Sequence, residues 1–301
     1  MSKVRPFSAT DSVKALLRRQ VRMVFNDTAR GEAPIGHSED ALTPRGSIVR
    51  TVHADVVSMM VGGMAALLLQ MLHPAALRGV LDHSNFRQDM LGRLRRTARF
   101  IAITTYAGKV DAEAAIGRVR SIHERVEGVL PDGTTYRASD PHLLAWVHVA
   151  ESLCFLDAYI RYVDPAMNAA DQDLYFAEAA YVARALGADP VPVTRAEAED
   201  LLRDYRPELM VIAETREVAD LVLKPSGRNP AVAASHLMLG NAALDLLPRW
   251  AGRMLDRRPP PMSALPNRLA TRALGATLRW SFRGWGQRML GIRAPWAIDG
   301  M

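Results

Sequence analysis

The chain has 301 residues, of which 49% are hydrophobic, and a mean hydropathy of −0.04. This composition excludes extensive disorder and predicts one globular domain with enough apolar material for a core. The net charge of +6 and the pI near 9.8 are compatible with nucleic acid, anionic lipid or an acidic cofactor. The basic residues are scattered and no zinc-finger or RNA-binding signature accompanies them, so we predict no nucleic-acid partner.

Cysteine and hydropathy patterns bear on location. The single cysteine, Cys154, rules out a disulfide framework within the chain and is interpreted as a small buried hydrophobe. Charged residues interrupt the N-terminal apolar run at 13–25, which does not resemble a signal peptide. The most apolar stretch, 56–72, is shorter than the roughly 20 residues of a membrane-spanning helix. We therefore expect a soluble, cytoplasmic protein.

Helical periodicity recurs along almost the whole chain, and strand-like alternation is nearly absent. After a first helix, a polar stretch at 27–50 predicts an extended arm. The Pro131-Asp132-Gly133-Thr134 turn predicts a short hairpin over 128–136. The helices predicted from caps and breakers cover about residues 11–25, 52–72, 91–106, 112–126, 141–162, 171–186, 196–205, 208–223, 230–255 and 264–288.

The predicted fold class is all-α, a single globular helical domain with room for one short hairpin. Residues 1–50 form an N-terminal helix and extended arm, 51–256 a helical core, and 257–301 a Pro/Arg/Trp-rich helical tail packed on that core. Trp280 and Trp285 lie among arginines in the tail, which also suits a peripheral contact with an anionic membrane.

His148 is the candidate metal ligand. The segment 143–150 is apolar apart from this imidazole, and a helix over the segment would bury the His148 side chain. A buried neutral imidazole needs a partner for each ring nitrogen. One nitrogen could bind iron while the other donates to the carboxylate of Glu151, one turn away. The residues alone favour the alternative, an ordinary hydrogen-bonded core histidine.

An arginine-rich helix offers the second cluster. Arg93, Arg96, Thr97 and Phe100 share one stripe of the helix predicted over 91–106. Guanidinium groups form forked hydrogen bonds with carboxylates, so two on one face suit an acidic cofactor. A solvated arginine-rich face is the alternative, although Thr97 and Phe100 are not typical of one.

The third cluster follows the apolar helix. Polar residues around His73 and His83 predict a loop over the mouth of a pocket, where either histidine could contact substrate or cofactor. Surface histidines are the alternative interpretation. The sequence contains no phosphate loop, nucleophile elbow, zinc-protease motif or dinucleotide fingerprint.

Five stretches between about Leu68 and Tyr205 carry a family resemblance. They are "HPAALRGVLDHSNF", "GRLRRTARFIAITTYAG", "VRSIHERVEG", "YRASDPHLLAWVHVAES" and "ALGADPVPVTRAEAEDLLRDY". In this order, they resemble the haem-dependent oxygenase family that includes the latex-clearing rubber oxygenases and the fungal MpaB-type oxygenase. The pairing of G-R-x-x-R-T with D-P-x-L-L-x-W-V-H is the specific part.

The resemblance implies a helical domain around a buried haem b, with the histidine of the "WVH" motif, His148, as iron ligand. It also places Arg93 and Thr97 near the haem. We expect Arg93 and Arg96 to bind propionates or polarise dioxygen. The expected cofactor-binding residues are His148, Arg93, Arg96, Thr97, Phe100 and Glu151, the metal ligand is His148, and the catalytic residues are Arg96 and Thr97.

Two departures from the rubber-cleaving members affect the expected chemistry. Those members carry a lysine just before the threonine, where it can ligate iron, but Arg96 stands there and an ever-protonated guanidinium cannot coordinate a metal. The sixth position is thus expected to be open, water-bound or filled by another group. No glutamate lies between Leu72 and Leu91 to match their catalytic one.

The resulting expectation is an oxygenase that acts with dioxygen on a hydrophobic, isoprenoid or lipid-like substrate. Two alternatives stay open: a non-enzymatic haem or lipid-binding protein of the same fold, and a basic helical protein associated with a membrane surface.

Overall fold

A computed structural model of the chain describes residues 9–25, 32, 35–225, 230–258 and 261–283. The structure is 72% helical, and its single sheet among those residues is a two-stranded antiparallel hairpin, β1 (Glu127–Val129) and β2 (Thr135–Arg137). The all-α class predicted from periodicity is confirmed. The helices are α1 (Ala9–Phe25), α2 (Ile48–His53), α3 (Val56–Gln70), α4 (Pro74–His83), α5 (Met90–Tyr106), α6 (Lys109–His123), α7 (Pro141–Tyr162), α8 (Ala169–Leu186), α9 (Arg195–Asp204), α10 (Ala213–Leu223), α11 (Pro230–Leu246), α12 (Arg249–Met254) and α13 (Ala264–Phe282).

Local capping signals explain several helix boundaries. The Asp140 carboxylate accepts a hydrogen bond from the His142 amide at the start of α7, where Pro141 occupies the first turn. Thr194 caps α9 in the same way, and Gly187 ends α8 with a φ of 101°. These boundaries follow from residue chemistry within one turn, which is why the sequence predicts them.

The segment after the arm differs from the prediction. The helix expected over 52–72 is interrupted, because Asp55 caps α3 by accepting from the Ser58 amide and so separates α2 from α3. The loop predicted around His73 and His83 is wrong: it is helix α4. His73 caps α4 through Nδ1, and Pro74 begins this helix rather than ending the chain's helical run. The axes of α3 and α4 differ by 106°.

Smaller differences between the predicted and the observed helix boundaries arise because the same residue type can occur at either end of a helix. The helix predicted over 112–126 begins earlier, at Lys109, because Gly108 is its N-cap and Asp111 lies within its first turn. The helix predicted over 230–255 is two helices, because Pro248 lacks an amide hydrogen and separates α11 from α12. The tail helix α13 ends at Phe282, and the remainder of the predicted helix, 284–288, lies outside the described residues.

Helix α7 is the centre of the fold. It packs along α3 and also contacts α8 and α9. The close approach of α3 requires Gly62, where an added Cβ would lie 2.8 Å from Phe155 Cδ1 and 2.9 Å from the Cys154 carbonyl oxygen. Cys154 is buried there, as predicted. The α3–α7 contact therefore fixes the backbone from which the residues around 148–155 project.

The described part of the tail packs against the core. Helix α13 contacts α11, α1 and α3. Arg279 Nη1 lies 2.6 Å from Asp55 Oδ2, so the tail is bound to the carboxylate that caps α3. Trp285 and the rest of 284–301 lie outside the described residues, and the three-part division of the chain stays a prediction.

Helix α7 has the length and hydropathy of a membrane-spanning helix. Its most apolar window is 67% buried inside the fold, and internal helices of folded domains pass the same test. Helices α3 and α4 pass it only as a pair, with the sharp bend between them. Length and hydropathy are thus weak evidence for a membrane span here.

Two neighbouring glycines of α3 allow a matched test of the α3–α7 contact. We expect Gly62→Ala to lower the free energy of unfolding by about 1–3 kcal/mol, because the new methyl group meets backbone atoms that cannot move independently. Urea denaturation followed by circular dichroism measures the change. Gly63→Ala is the control: its Cβ would lie 3.7 Å from Phe155 Cε1, so it should be neutral or stabilising. Equal effects of the two substitutions would contradict the close contact at Gly62.

Candidate functional site

A largely apolar cavity opens beside α7. Its wall is formed by residues of α2, α5, α7 and α8 and by the last residue of α6. Helices α5 and α6 pack on each other, whereas α7 packs on α3, α8 and α9. The wall of the cavity therefore includes residues of both the α5–α6 pair and α7.

His148 lies on the wall of this cavity, as the sequence predicts. Burial, and then the positive charge of Arg184, lower the pKa of His148 to about 4. The imidazole is thus neutral near pH 7 and keeps a free lone pair. Its Nε2 atom is buried and has no hydrogen-bond partner among the described residues. Such an atom is unusual in a folded protein and calls for a partner outside the chain.

The other ring nitrogen of His148 begins a chain of polar contacts. Nδ1 lies 3.4 Å from Ser152 Oγ, and the Ser152 hydroxyl also bonds the Tyr175 hydroxyl. Tyr175 Oη lies 3.4 Å from His53 Nε2, and His53 Nδ1 lies 2.9 Å from Thr105 Oγ1. Sequence reasoning did not connect Tyr175, His53 and Thr105 with His148, because they belong to α8, α2 and α5 and meet α7 only in the fold.

These polar contacts allow an arrangement of protons that leaves His148 Nε2 unprotonated. His148 Nδ1 donates to Ser152, Ser152 donates to Tyr175, Tyr175 donates to His53 Nε2, and His53 Nδ1 donates to Thr105. Each donor then meets an acceptor. Ser152, rather than the Glu151 expected from the sequence, contacts the second nitrogen.

Glu151 also lies on the cavity wall, but its surroundings differ from those of His148. Burial raises its pKa to about 7, whereas a hydrogen bond with Gln70 and the charge of Arg93 lower it. A carboxyl group with this pKa exchanges a proton readily near neutral pH. Glu151 is therefore suited to hold or release a proton at the edge of the cavity.

Arg93 and Arg96, the two arginines of the predicted stripe on α5, lie in different environments. Burial and the neighbouring Arg96 lower the pKa of Arg93, and the nearby Glu151 raises it. Arg96 is exposed and its Nη1 atom lies 3.6 Å from Asp89 Oδ2. Phe100 lines the cavity, but Arg93, Arg96 and the half-buried Thr97 do not. The roles predicted for Arg96 and Thr97 stay predictions.

His123 is a wall residue to which the sequence analysis gave no role. It is the last residue of α6 and occurs in the "VRSIHERVEG" stretch. Its Nδ1 atom is buried without a hydrogen-bond partner among the described residues. Burial, and then the charge of Arg93, lower its pKa. No local pattern around His123 indicates that its ring would line the cavity, because that placement depends on how α6 packs in the fold.

The arm closes one side of the cavity. Ser38 donates from its amide to the Tyr106 carbonyl over 2.8 Å, and Thr43 lines the wall. The buried Arg50 reaches the Thr105 carbonyl through Nε over 3.3 Å and the Ser38 carbonyl through Nη2 over 3.1 Å. The arm is thus fastened to the end of α5 by backbone and side-chain hydrogen bonds.

The donor set is suited to a cofactor that brings its own metal. Within the part of the chain that the structure describes, no group of three His, Cys, Asp or Glu side chains is placed to hold a metal ion. Two imidazole nitrogens on this largely apolar cavity, His148 Nε2 and His123 Nδ1, have no hydrogen-bond partner among the described residues, and a haem iron needs one such protein ligand. The residues therefore fit the group that the sequence resemblance implies.

Comparison with known proteins places this geometry in a family. The family described as "ER-bound oxygenase mpaB/B'/Rubber oxygenase, catalytic domain" matches residues 50–280, which include α3 to α12 and most of α13. The chain belongs to the mpaB/rubber oxygenase family. No curated protein and no solved structure matches it.

Family membership confirms the resemblance found in the sequence. The match covers α5, α6, α7 and α8 and most of α2, the helices that line the cavity, and it describes a catalytic domain. An mpaB/rubber oxygenase-type catalytic domain indicates oxygenase activity, and the chain is accordingly classed as an enzyme. The match does not by itself assign a cofactor or a substrate.

The buried His53 predicts how stability depends on pH. Burial lowers the pKa of His53 from 6.5 to about 4, so the unfolded chain binds a proton that the folded chain excludes. Stability should therefore fall as the pH drops from about 6.5 to 4, by up to about 3 kcal/mol from this residue. Urea denaturation of the cofactor-free protein at several pH values measures it.

His53→Asn supplies the control for this prediction, because an amide cannot gain a proton in this range. The variant should lose part of the pH dependence between 6.5 and 4, whatever its stability at pH 7. A variant with the same pH dependence as the wild type would show that His53 is not held neutral in the folded protein.

Proposed function

We propose that the chain is a haem b-dependent oxygenase that acts with dioxygen on a hydrophobic, isoprenoid or lipid-like substrate. The observation that carries the proposal is His148 Nε2, a buried and unpartnered nitrogen on the wall of a mostly apolar cavity. Family membership supports the oxygenase class. When bound, haem b supplies a redox-active iron for reaction with dioxygen.

His148 would hold the iron through Nε2. The contacts through Ser152, Tyr175 and His53 support this role, because they keep the proton on Nδ1 and fix the plane of the ring. Hydrogen bonding at Nδ1 also raises the basicity of the ligating nitrogen. The low pKa of His148 favours metal binding in a different way, since no proton competes for the lone pair near pH 7.

The remaining wall residues suit substrate binding and proton transfer. Phe100, Ile101 and Phe155 present apolar surface that excludes water and favours an apolar substrate. Glu151 can hold a proton at its carboxyl group and deliver it near neutral pH. Arg93 is the better placed of the two predicted arginines to bind a propionate, because it is shielded whereas Arg96 is exposed and paired with Asp89.

His148→Ala tests the cofactor. We expect the wild-type protein, supplied with haem, to show a strong Soret band, and the variant to lose it while its circular dichroism stays helical. The loss should exceed the roughly 10–100-fold weakening expected when a ligand's hydrogen-bond partner is removed. Ser152→Ala should fall within that smaller range, since it removes the contact at Nδ1.

His83→Ala is the matched control, because its side chain is exposed and bonds the Glu127 carbonyl away from the cavity. A Soret band that depends on His83, or that survives in His148→Ala, would overturn the ligand assignment. Dioxygen uptake by the haem-loaded protein with an unsaturated isoprenoid separates an oxygenase from a carrier. Haem binding without uptake across such substrates would favour the non-enzymatic alternative.

The two arginines give a second comparison. Arg93→Gln should weaken haem retention by roughly tenfold or more, the consequence of losing a charge-assisted hydrogen bond of about 1.5–3 kcal/mol. Arg96→Gln should change it by less than about 1 kcal/mol, because it removes an exposed ion pair. Transfer of haem to apomyoglobin measures both rates. A larger effect at Arg96 would restore the role predicted for it from sequence.

A further inference from the structure

Helix α13 has an outer face on which many of the exposed residues are apolar. Leu265, Leu269, Ala273, Ala276 and Trp280 are all exposed, and they follow one another at intervals of three or four residues. Residues at this spacing lie on one face of a helix. Leu265 is 66% exposed and Leu269 is 57% exposed, so this row of five residues, the apolar stripe of α13, faces outward. A helix at the surface of a globular domain normally turns such a stripe toward the core.

The helices beside α13 add to this apolar surface. Helix α13 packs on α11 and on α1, and Lys14 Nζ of α1 lies 4.6 Å from the centre of the Trp280 ring. The exposed large apolar residues of α1 and α11 are Val13, Leu16, Val232 and Leu237. Exposed apolar side chains concentrated on neighbouring helices are typical of a surface that binds a protein or a membrane.

The same three helices carry most of the net positive charge of the chain. Together, α1, α11 and α13 contain seven lysine or arginine residues and two aspartates, a net charge of +5, and the whole chain has +6. One of the aspartates, Asp245, is largely buried and pairs with Arg161 and Arg268. Arg272 lies beside the apolar stripe, is exposed, and donates to the uncharged carbonyl oxygen of Arg161 over 2.6 and 2.9 Å. The surface therefore combines apolar side chains with positive charge and little negative charge.

This combination is complementary to an anionic lipid bilayer. Leucine and tryptophan side chains enter the boundary between headgroups and acyl chains, while lysine and arginine are attracted to anionic headgroups. A contact between two copies of this surface would bring like charges together, and their repulsion would oppose it. Charge complementarity thus favours a lipid surface over a second copy of the chain.

We propose that the surface formed by α1, α11 and α13 docks the protein on an anionic membrane. The apolar stripe would lie among the headgroups with α13 parallel to the plane of the membrane, and the neighbouring basic residues would contact lipid phosphates. The sequence suggested such a contact for the tail alone, whereas the structure adds two helices that are distant from the tail in sequence. The inference does not depend on a bound haem.

Cosedimentation with vesicles tests the proposal. The wild-type protein should bind vesicles of phosphatidylcholine mixed with phosphatidylglycerol and bind much less to phosphatidylcholine alone. Added sodium chloride should weaken the binding, because salt screens the attraction to the headgroups. The double substitution Leu265→Gln/Leu269→Gln should weaken it by about tenfold or more, since two exposed apolar side chains are lost. Arg272→Gln should weaken it by about fivefold, the effect of one cation near an anionic surface.

Matched substitutions on other helices serve as controls. Val110→Gln/Leu174→Gln also removes two exposed apolar side chains, but from α6 and α8. Arg118→Gln removes an exposed cation from α6. Both variants should bind anionic vesicles as the wild type does, and circular dichroism should show that every variant stays helical.

A fluorescent probe locates the contact independently. Cys154 is the single cysteine and is buried, so a cysteine introduced at the surface can be labelled selectively. A polarity-sensitive probe on Leu269→Cys should shift its emission to shorter wavelength on anionic vesicles. The same probe on Val110→Cys should not shift.

Equal binding to the two kinds of vesicle, or wild-type binding by Leu265→Gln/Leu269→Gln, overturns the inference. A dimer in lipid-free solution that this double substitution dissociates would assign the surface to a second copy of the chain and also overturn it. The Soret band of the same samples, supplied with haem, reports on the proposed function separately, so either proposal can fail without the other.

Discussion

The structure depends on keeping one imidazole, that of His148, neutral and shielded from water with its Nε2 atom free. Burial opposes a charge on this ring, and the positive charge of Arg184 opposes it further, so the pKa falls to about 4. The cost of desolvating the ring is offset on one side only, by the contact between Nδ1 and Ser152. The other side faces the cavity, where a metal-bearing group would supply the missing interaction.

The rest of the fold holds this ring in place. Gly62 lets α3 approach α7 at the level of Phe155, which fixes the helix that bears His148. Tyr175 and His53 extend the contact at Nδ1 to α8 and α2, so the orientation of the ring is tied to three helices. The arm and Arg50 close the cavity at the end of α5. A ligand bound there meets a wall that is already formed.

The part of the cavity wall formed by α5 and α6 carries different side chains from the part formed by α7. Helices α5 and α6 contribute Phe100 as apolar surface, Arg93 as a shielded cation near the cavity, and His123 as a second neutral nitrogen donor.

The sequence by itself determined the helical class, most helix boundaries, the hairpin and the position of His148 on an apolar helix, because periodicity and capping act within a few residues. It misassigned the segment around His73, since Pro74 can equally end one helix or begin the next. Only the tertiary structure decided that Ser152 contacts the ring, that Arg96 points to solvent, and that His123 lines the cavity. These facts depend on how helices distant in sequence rotate and pack against one another, and no local pattern encodes that rotation.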